Sequence, residues 1–264
     1  MSNPTPRFVD YHCHLDLYPD YVDQFVACTN NRIATLAVTT TPRAWPRNRE
    51  LAKSSPFVRV GLGFHPQLVA GRAAEFPLFK KYFPEARFIG EVGLDASPQH
   101  YKSYSAQKDI FEQILSLCAS HGDKILSVHS VRATRDVLGL IERVLPPERS
   151  RVVLHWFGGT KSEGEWATRL GCYFSVNAEM LTKSARRAIV AALPLNRILT
   201  ETDGPFTNTL DEPSKPTDIP VVIKLLHSVF EGNEEELRMQ ILANLNNLEG
   251  ESNPTVGVPF SSYG

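Results

Sequence analysis

The sequence has few cysteines and no sign of a secretory or membrane segment. Its four cysteines, Cys13, Cys28, Cys118 and Cys172, form no C-x-x-C pair and no zinc-knuckle spacing. We therefore expect buried, reduced thiols rather than a disulfide framework. The opening residues MSNPTPRFVD contain neither a basic nor an apolar stretch, so we predict no signal peptide. No apolar run reaches the roughly 20 residues of a membrane-spanning helix, and we expect a cytoplasmic protein that does not contact membranes.

The chain also lacks an excess of charge of either sign. Lys and Arg number 28 against 29 Asp and Glu, which gives a formal net charge of −1. This balance argues against a protein that coats nucleic acid with a broad basic surface. It does not exclude a nucleic-acid substrate, because bound divalent cations supply the positive charge that phosphates need.

Short apolar runs alternate with helical patterns along the whole chain, as in a parallel sheet covered on both faces. The predicted strands are Arg7–Tyr11, Thr35–Thr40, Phe57–Leu62, Arg87–Glu91, Lys124–Val128, Arg151–His155, Cys172–Val176 and Arg197–Glu201. Eight strand–helix units in 264 residues predict an α/β fold, a (β/α)8 TIM barrel, over residues 1–250. The Ser-, Pro- and Gly-rich segment 251–264 is predicted to be a tail, either disordered or packed on the surface.

Polar residues that can bind metals follow the carboxyl ends of these strands, where TIM barrels carry their active sites. His12 and His14 alternate on one strand, so both imidazoles point to the same side. Together the pattern predicts a metal-dependent hydrolase of the barrel type, with divalent ions bound by His12, His14, Glu91, His129, His155 and Asp203.

Three carboxylates carry the expected chemistry. Glu91 has two oxygens and is assigned as the ligand that bridges two ions. Asp203 can bind a metal and also take a proton from the attacking water. Glu201 either acts catalytically or braces its neighbours, and both interpretations stay open. Asp95 is interpreted as a partner of a ligand histidine or as a helix cap.

Candidate substrate contacts are His65 in G-F-H-P, Arg132 and Lys161, each interpreted as a ligand of a substrate phosphate. Each has a plainer alternative, a loop histidine beside proline or a solvated charge at a helix start. Trp156, Phe157 and Phe206 could stack on a base or a sugar, although isolated aromatics more often pack in a core. His100, His121 and His227 are interpreted as surface residues.

Taken in order, these motifs resemble the TatD family of metal-dependent deoxyribonucleases, over about Phe8 to Leu248. The motifs are F-V-D-Y-H-C-H-L-D, G-F-H-P, I-G-E-V-G-L-D, V-H-S, L-H-W-F-G-G and E-T-D-G-P-F. The resemblance implies a distorted barrel and exonucleolytic attack on single-stranded DNA ends. One metal would be bound by His12, His14, Glu91 and Asp203, and the other by Glu91, His129 and His155. The two divalent ions are expected to be Mg²⁺, Mn²⁺ or Zn²⁺.

A narrower resemblance links the chain to the TatD-like component of Qat anti-phage defence operons. It is carried by K-I-L-S-V-H-S-x-R-A, G-C-Y-F-S-V-N-A-E-M-L and L-T-E-T-D-G-P-F. This resemblance implies an antiviral role with other Qat proteins as partners. The chain departs from ordinary TatD proteins at Ala96-Ser97-Pro98, where an aromatic and acidic run is usual, and this departure puts the choice of substrate in doubt.

Two other functions remain open. The first is hydrolysis of a small-molecule amide, lactone or phosphoester on the same scaffold. Many such enzymes carry a carboxylated lysine where this chain has Glu91, which favours the nuclease. The second is a non-catalytic, metal-binding subunit of a defence complex. A monomer or small oligomer is expected in each case.

Overall fold

In the computed structural model, residues 4–209 and 211–250 are described, and within them eight parallel strands form a barrel. In chain order the strands are β1 (Phe8–Cys13), β2 (Ile33–Val38), β3 (Val58–Gly61), β4 (Phe88–Asp95), β5 (Lys124–Val131), β6 (Ser150–His155), β7 (Tyr173–Val176) and β8 (Ile198–Thr200). The predicted TIM barrel is confirmed. The expected tail lies outside the described residues, so the proposed boundary near 250 stays a prediction.

Helices follow the strands and cover the barrel. They are α1 (Tyr21–Asn30), α2 (Trp45–Ala52), α3 (Val69–Arg72), α4 (Phe76–Tyr82), α5 (Tyr104–His121), α6 (Thr134–Val144), α7 (Lys161–Arg169), α8 (Ala178–Thr182), α9 (Ser184–Ala191), α10 (Ile219–His227) and α11 (Glu234–Glu249). A short antiparallel pair, β9 (Asn208–Thr209) and β10 (Glu212–Pro213), precedes α10. In the described part of the chain, no helix combines the length and the apolar character needed to cross a bilayer.

The apolar spacing of the predicted helices corresponds to buried faces. In α5, Ile110, Phe111, Ile114, Leu115 and Cys118 are all buried, as the period of 3.6 residues requires. They pack with the outward-facing residues of the strands in one large core. All four cysteines are buried and unpaired, in agreement with the expected reduced thiols.

Strand β4 is longer than predicted and is irregular at its middle. We expected it to end at Glu91, but it continues to Asp95. Its pairing with β5 shifts in register between Ile89 and Val92. The backbone N–H of Glu91 instead donates to the Thr39 carbonyl at 3.0 Å, on the side of β2. Glu91 therefore lies inside a strand, and the break in the ladder lets its side chain point into the barrel mouth.

The seam between β8 and β1 is closed by side chains rather than by a regular ladder. Thr202 donates from its backbone N–H and its hydroxyl to the Asp10 carboxyl group, at 2.8 and 2.6 Å. One residue on, the Asp203 N–H donates to the His12 carbonyl at 2.8 Å. Asp10 is fully buried, and burial raises its pKa to about 8 despite the bonds from Thr202. These contacts fix the position of Asp203 relative to His12.

We predict that Thr202→Val destabilises the fold by about 1–3 kcal/mol, because the buried Asp10 carboxyl loses a hydroxyl donor. Urea unfolding followed by circular dichroism measures this loss. Thr182→Val, at an exposed threonine that bonds only within its own helix, is the matched control and should change stability little. Equal stability of the two variants would contradict the role given to this seam.

Candidate metal centre

The centre of the barrel mouth is the Glu91 carboxylate, which is 2% exposed. Five imidazole nitrogens lie within 4 Å of its two oxygens, at 3.6 Å for His12, 3.3 Å for His14, 3.1 Å for His65, 2.6 Å for His129 and 3.0 Å for His155. They come from strands β1, β5 and β6 and from the loop segments after β1 and β3. Six candidate ligands and His65 therefore converge on one point, as their positions near strand ends predicted.

One side of the cluster has the dimensions of a four-coordinate site. His12 Nε2 and His14 Nε2 lie 3.6 and 3.5 Å from Asp203 Oδ1. Both also lie near Glu91 Oε2, at 3.6 and 3.3 Å. Ligand atoms bound tetrahedrally at about 2.0–2.2 Å are separated by roughly 3.3–3.6 Å. The two nitrogens and two oxygens thus surround a space that fits a small divalent ion.

Two of these four atoms have no hydrogen-bond partner among the described residues. His12 Nε2 and Asp203 Oδ1 are buried and unpartnered. Leaving such groups unpaired in a protein interior costs about 1–3 kcal/mol each. His12 Nδ1 is bonded to Ser127 Oγ at 2.7 Å, which directs Nε2 toward the carboxylates. A cation bound by this set removes the penalty, so the residues present fit a metal ion.

The other side of the cluster is built around Glu91 Oε1. His129 Nδ1 lies 2.6 Å from this oxygen, and His155 Nε2 lies 3.0 Å from it. The rings of His12 and His155 stack with centroids 3.8 Å apart, so the two sides are in contact. Glu91 offers one oxygen to each side, which is the arrangement that a bridging carboxylate needs. The assignment of the six residues as ligands stays a prediction.

His65 lies deeper in the cluster than its position in a loop suggested. Its Nε2 is 3.1 Å from Glu91 Oε2, and its Nδ1 accepts from the Gln67 N–H at 3.2 Å. A neutral imidazole whose Nδ1 accepts carries its proton on Nε2. In this state His65 donates its Nε2–H to Glu91 Oε2, and its ring also lines the cleft.

A second layer of polar contacts orients the histidines. Asp95 Oδ2 lies 3.1 Å from His129 Nε2 and accepts from Gln67 Nε2 at 2.7 Å, while Asp95 Oδ1 accepts from the Ser97 N–H at 2.8 Å. Asp95 thus holds the ring of His129, which supports the first of its two interpretations.

Glu201 is fully buried, and other protein groups occupy its oxygens. Oε1 accepts from the Trp156 N–H at 3.0 Å and from Asn177 Nδ2 at 2.9 Å, and Oε2 accepts from Ser175 Oγ. Oε2 also lies 3.7 Å from His155 Nδ1. Glu201 does not line the open cleft, so these contacts support the bracing interpretation over the catalytic one.

Burial and the imidazoles act in opposite directions on the carboxyl groups. Burial by itself raises the pKa of Glu91, but His65, His155 and the other imidazoles hold that pKa well below its usual range. Burial raises the pKa of Glu201 above its usual value. Desolvation, together with the neighbouring His155, lowers the pKa of His12 to about 3. Burial also lowers the pKa of His14, but the hydrogen bonds and charges of Asp203 and Glu91 raise it to about 9, and the pKa values of His129 and His155 are raised in the same way. A metal ion bound to these imidazoles would displace their protons.

The cluster forms the floor of a cleft with a cavity volume of about 470 Å³. Arg132, Arg186, Trp156 and Phe206 line its walls. Phe206 is 59% exposed, and its ring meets His14 edge-on at 5.0 Å. Two predicted substrate contacts, His65 and Arg132, lie in this cleft. Lys161, the third, begins α7 and is not among the residues that line it.

Arg186 was missed by the sequence reasoning. It lies on α9, and no motif distinguishes it from other helical arginines. Of the three aromatics proposed for stacking, Trp156 and Phe206 line the cleft, whereas Phe157 is buried in the core. In the described part of the chain, neither Arg132 nor Arg186 forms an ion pair or a hydrogen bond through its side chain.

Comparisons with known proteins agree with this geometry. Residues 9–250 match the family model of TatD related DNases. Human deoxyribonuclease TATDN3 is 29% identical over 219 residues, which cover 75% of this chain and 77% of the relative. The metal-dependent hydrolase YjjV of Escherichia coli K12 is 26% identical over 255 residues, or 90% and 96% of the two chains. The crystal structure of YjjV, a TatD homologue, aligns with a TM-score of 0.81, 23% identity and coverage of 92% and 97%.

We predict that chelation of divalent ions lowers the melting temperature by roughly 5–10 °C, since a ligand at 100 times its Kd stabilises by about 2.7 kcal/mol. Thermal unfolding with EDTA and with added Mn²⁺ or Zn²⁺ measures the difference. The difference in melting temperature between chelated and metal-loaded protein should shrink in Asp203→Asn. It should persist in His100→Ala, because His100 lies outside the cluster. A melting temperature that does not respond to metal would contradict the site.

Proposed function

Because this chain belongs to the family of TatD related DNases, we propose that it hydrolyses phosphodiester bonds at the ends of single-stranded DNA. The observation that carries the proposal is the buried Glu91 carboxylate, which five imidazoles and Asp203 surround at the floor of an open cleft. Two divalent ions would be bound there, one by His12, His14, Glu91 and Asp203 and the other by Glu91, His129 and His155.

Divalent ions at such a site lower the pKa of water and stabilise negative charge on phosphoryl oxygens. Asp203 is suited to accept the proton of the attacking water, because it lines the cleft beside His14. Burial raises the pKa of Asp203, but the nearby His14 and the other imidazoles lower it below its usual value. The ionised carboxylate is therefore the state available at neutral pH.

The proposed phosphate contacts are residues on the cleft walls. Arg132 and Arg186 both line the cleft and have no side-chain partner in the described chain. Guanidinium groups bind phosphate oxygens in a bidentate manner, and desolvated ones do so strongly. His65 Nε2–H adds a donor at the floor. Lys161 stays a predicted phosphate contact for the part of a substrate outside the cleft.

The alternatives are tested with the same protein. Hydrolysis of a small amide, lactone or phosphoester without cleavage of DNA would favour the small-molecule hydrolase. A metal-loaded protein that cleaves none of these substrates would favour the non-catalytic subunit. The antiviral role, the Qat partners and the monomeric or oligomeric state remain predictions from the resemblance.

We predict that Glu91→Ala and Asp203→Asn each reduce degradation of end-labelled single-stranded DNA by at least about 10²–10⁴-fold, the contribution of a positioned acid–base group. Gel analysis with Mg²⁺, Mn²⁺ or Zn²⁺ measures the rate, and His100→Ala serves as the control with wild-type activity. Undiminished degradation by either variant would place the nuclease activity elsewhere or in a contaminant.

A separate prediction concerns Glu201. If it only orients His155 and the Trp156 backbone, Glu201→Gln should reduce activity by about 10–100-fold, as loss of a partner of a ligand does. Metal affinity, measured by titration, should fall in parallel. A much larger loss in the maximal rate at saturating metal would instead assign Glu201 a direct part in proton transfer.

A further inference from the structure

A second groove joins the catalytic cleft on one side. It has a cavity volume of about 600 Å³ and lies where α5, α6 and α7 begin. Arg132 and Gly158 line both the cleft and this groove, so the two spaces are continuous. None of the proposed metal ligands lines the groove, and the proposed reaction at the cluster leaves its purpose unexplained.

The outer wall of the groove is a fixed aromatic platform. Tyr101 and Tyr104 stack with centroids 5.5 Å apart and ring planes 10° from parallel. Tyr104 donates its hydroxyl to Asp136 Oδ2 at 2.8 Å, which anchors the Tyr104 ring. Tyr101 is 62% exposed, so much of its side chain is open to solvent. An exposed ring that is held by stacking on a neighbour suits a further contact with a nucleobase.

The charges of the groove also suit a polyanion. Its two carboxylates already have partners, since Asp136 is bonded to Tyr104 and lies 3.5 Å from Lys108 Nζ, and Glu163 accepts from Thr160 in the cap of α7. Within the described residues, the guanidinium groups of Arg132 and Arg135 have no ion pair and no hydrogen bond. The groove therefore presents two guanidinium groups that are available to phosphates between the cleft and the platform.

Two backbone features lie at the junction of the two spaces. Arg132 has a φ of +53°, a left-handed conformation that non-glycine residues adopt at a cost of about 1–3 kcal/mol. It follows β5 directly and stands at the boundary of both spaces. At Gly158, a Cβ atom would find nothing closer than Arg186 Nη1 at 3.8 Å, so a side chain there would extend into the passage.

We propose that this groove binds the continuation of a single-stranded polynucleotide, with Tyr101 stacked on a base and Arg132 and Arg135 on the intervening phosphates. The inference rests on the proposed function and extends it from a site that binds one phosphodiester to a site that binds several nucleotides. Only an unpaired base offers its face to the Tyr101 ring, so the groove selects single strands over duplex.

The test measures equilibrium binding of a 12-nucleotide oligodeoxythymidylate to the metal-loaded protein. The oligonucleotide has phosphorothioate linkages and a fluorescein label, and the fluorescence anisotropy of the label reports binding. Tyr101→Ala should weaken binding by roughly tenfold, within the range of one base–aromatic contact. Tyr101→Phe should restore affinity, because stacking needs the ring and not the hydroxyl. Gly158→Leu should also weaken binding of the 12-mer. The loss of affinity caused by Tyr101→Ala should be larger for longer oligonucleotides than for short ones.

Matched controls separate this proposal from the proposed function. Met239→Ala, at an exposed apolar residue of α11, and Arg143→Gln, at an exposed arginine of α6, should bind like the wild type. If Tyr101→Ala binds as well as these controls, or if the wild type does not bind the 12-mer, the groove proposal is overturned whether or not DNA is cleaved. If Tyr101→Ala weakens binding but unmodified DNA is not cleaved, the groove stands and the nuclease proposal fails.

Discussion

The structure depends on one buried carboxylate and the imidazoles that converge on it. Glu91 is buried, and its ionised form would be costly in an apolar interior without compensation. Near it, His12 Nε2 and Asp203 Oδ1 have no hydrogen-bond partners in the described chain. A cluster of acceptors and lone pairs is stable only when a cation or protons bind between them. The fold brings the ligand atoms together, and a bound metal ion would balance their charges and lone pairs.

The barrel explains why residues distant in sequence meet so closely. Each strand places its carboxyl end at the same mouth, and the seam from Asp10 to Thr202 fixes the last segment beside the first. The second layer then sets the rings, with Asp95 behind His129 and Glu201 beneath His155. The open side of the mouth carries arginines and aromatics in place of further ligands. The floor of the mouth is therefore suited to bind cations, while its rim is suited to bind an anionic chain.

Much of this arrangement follows from the sequence. The alternation of apolar strands and helical patterns predicted the barrel, and the polar residues near strand ends predicted which side chains would meet at its mouth. The irregular middle of β4 was not predicted, because a register shift depends on hydrogen bonds to β2 that no local pattern encodes. The position of Arg186 in the cleft wall was also not predicted, since helical position alone does not show that α9 borders the cleft. Glu201 could be assigned only once its partners were visible.

The most direct test of the account is a crystal structure of the protein equilibrated with Mn²⁺, with data collected to locate anomalous scattering. We expect two peaks that share the Glu91 carboxylate, one beside His12, His14 and Asp203 and the other beside His129 and His155. Peaks elsewhere, or a cluster that stays free of metal at millimolar Mn²⁺, would contradict it.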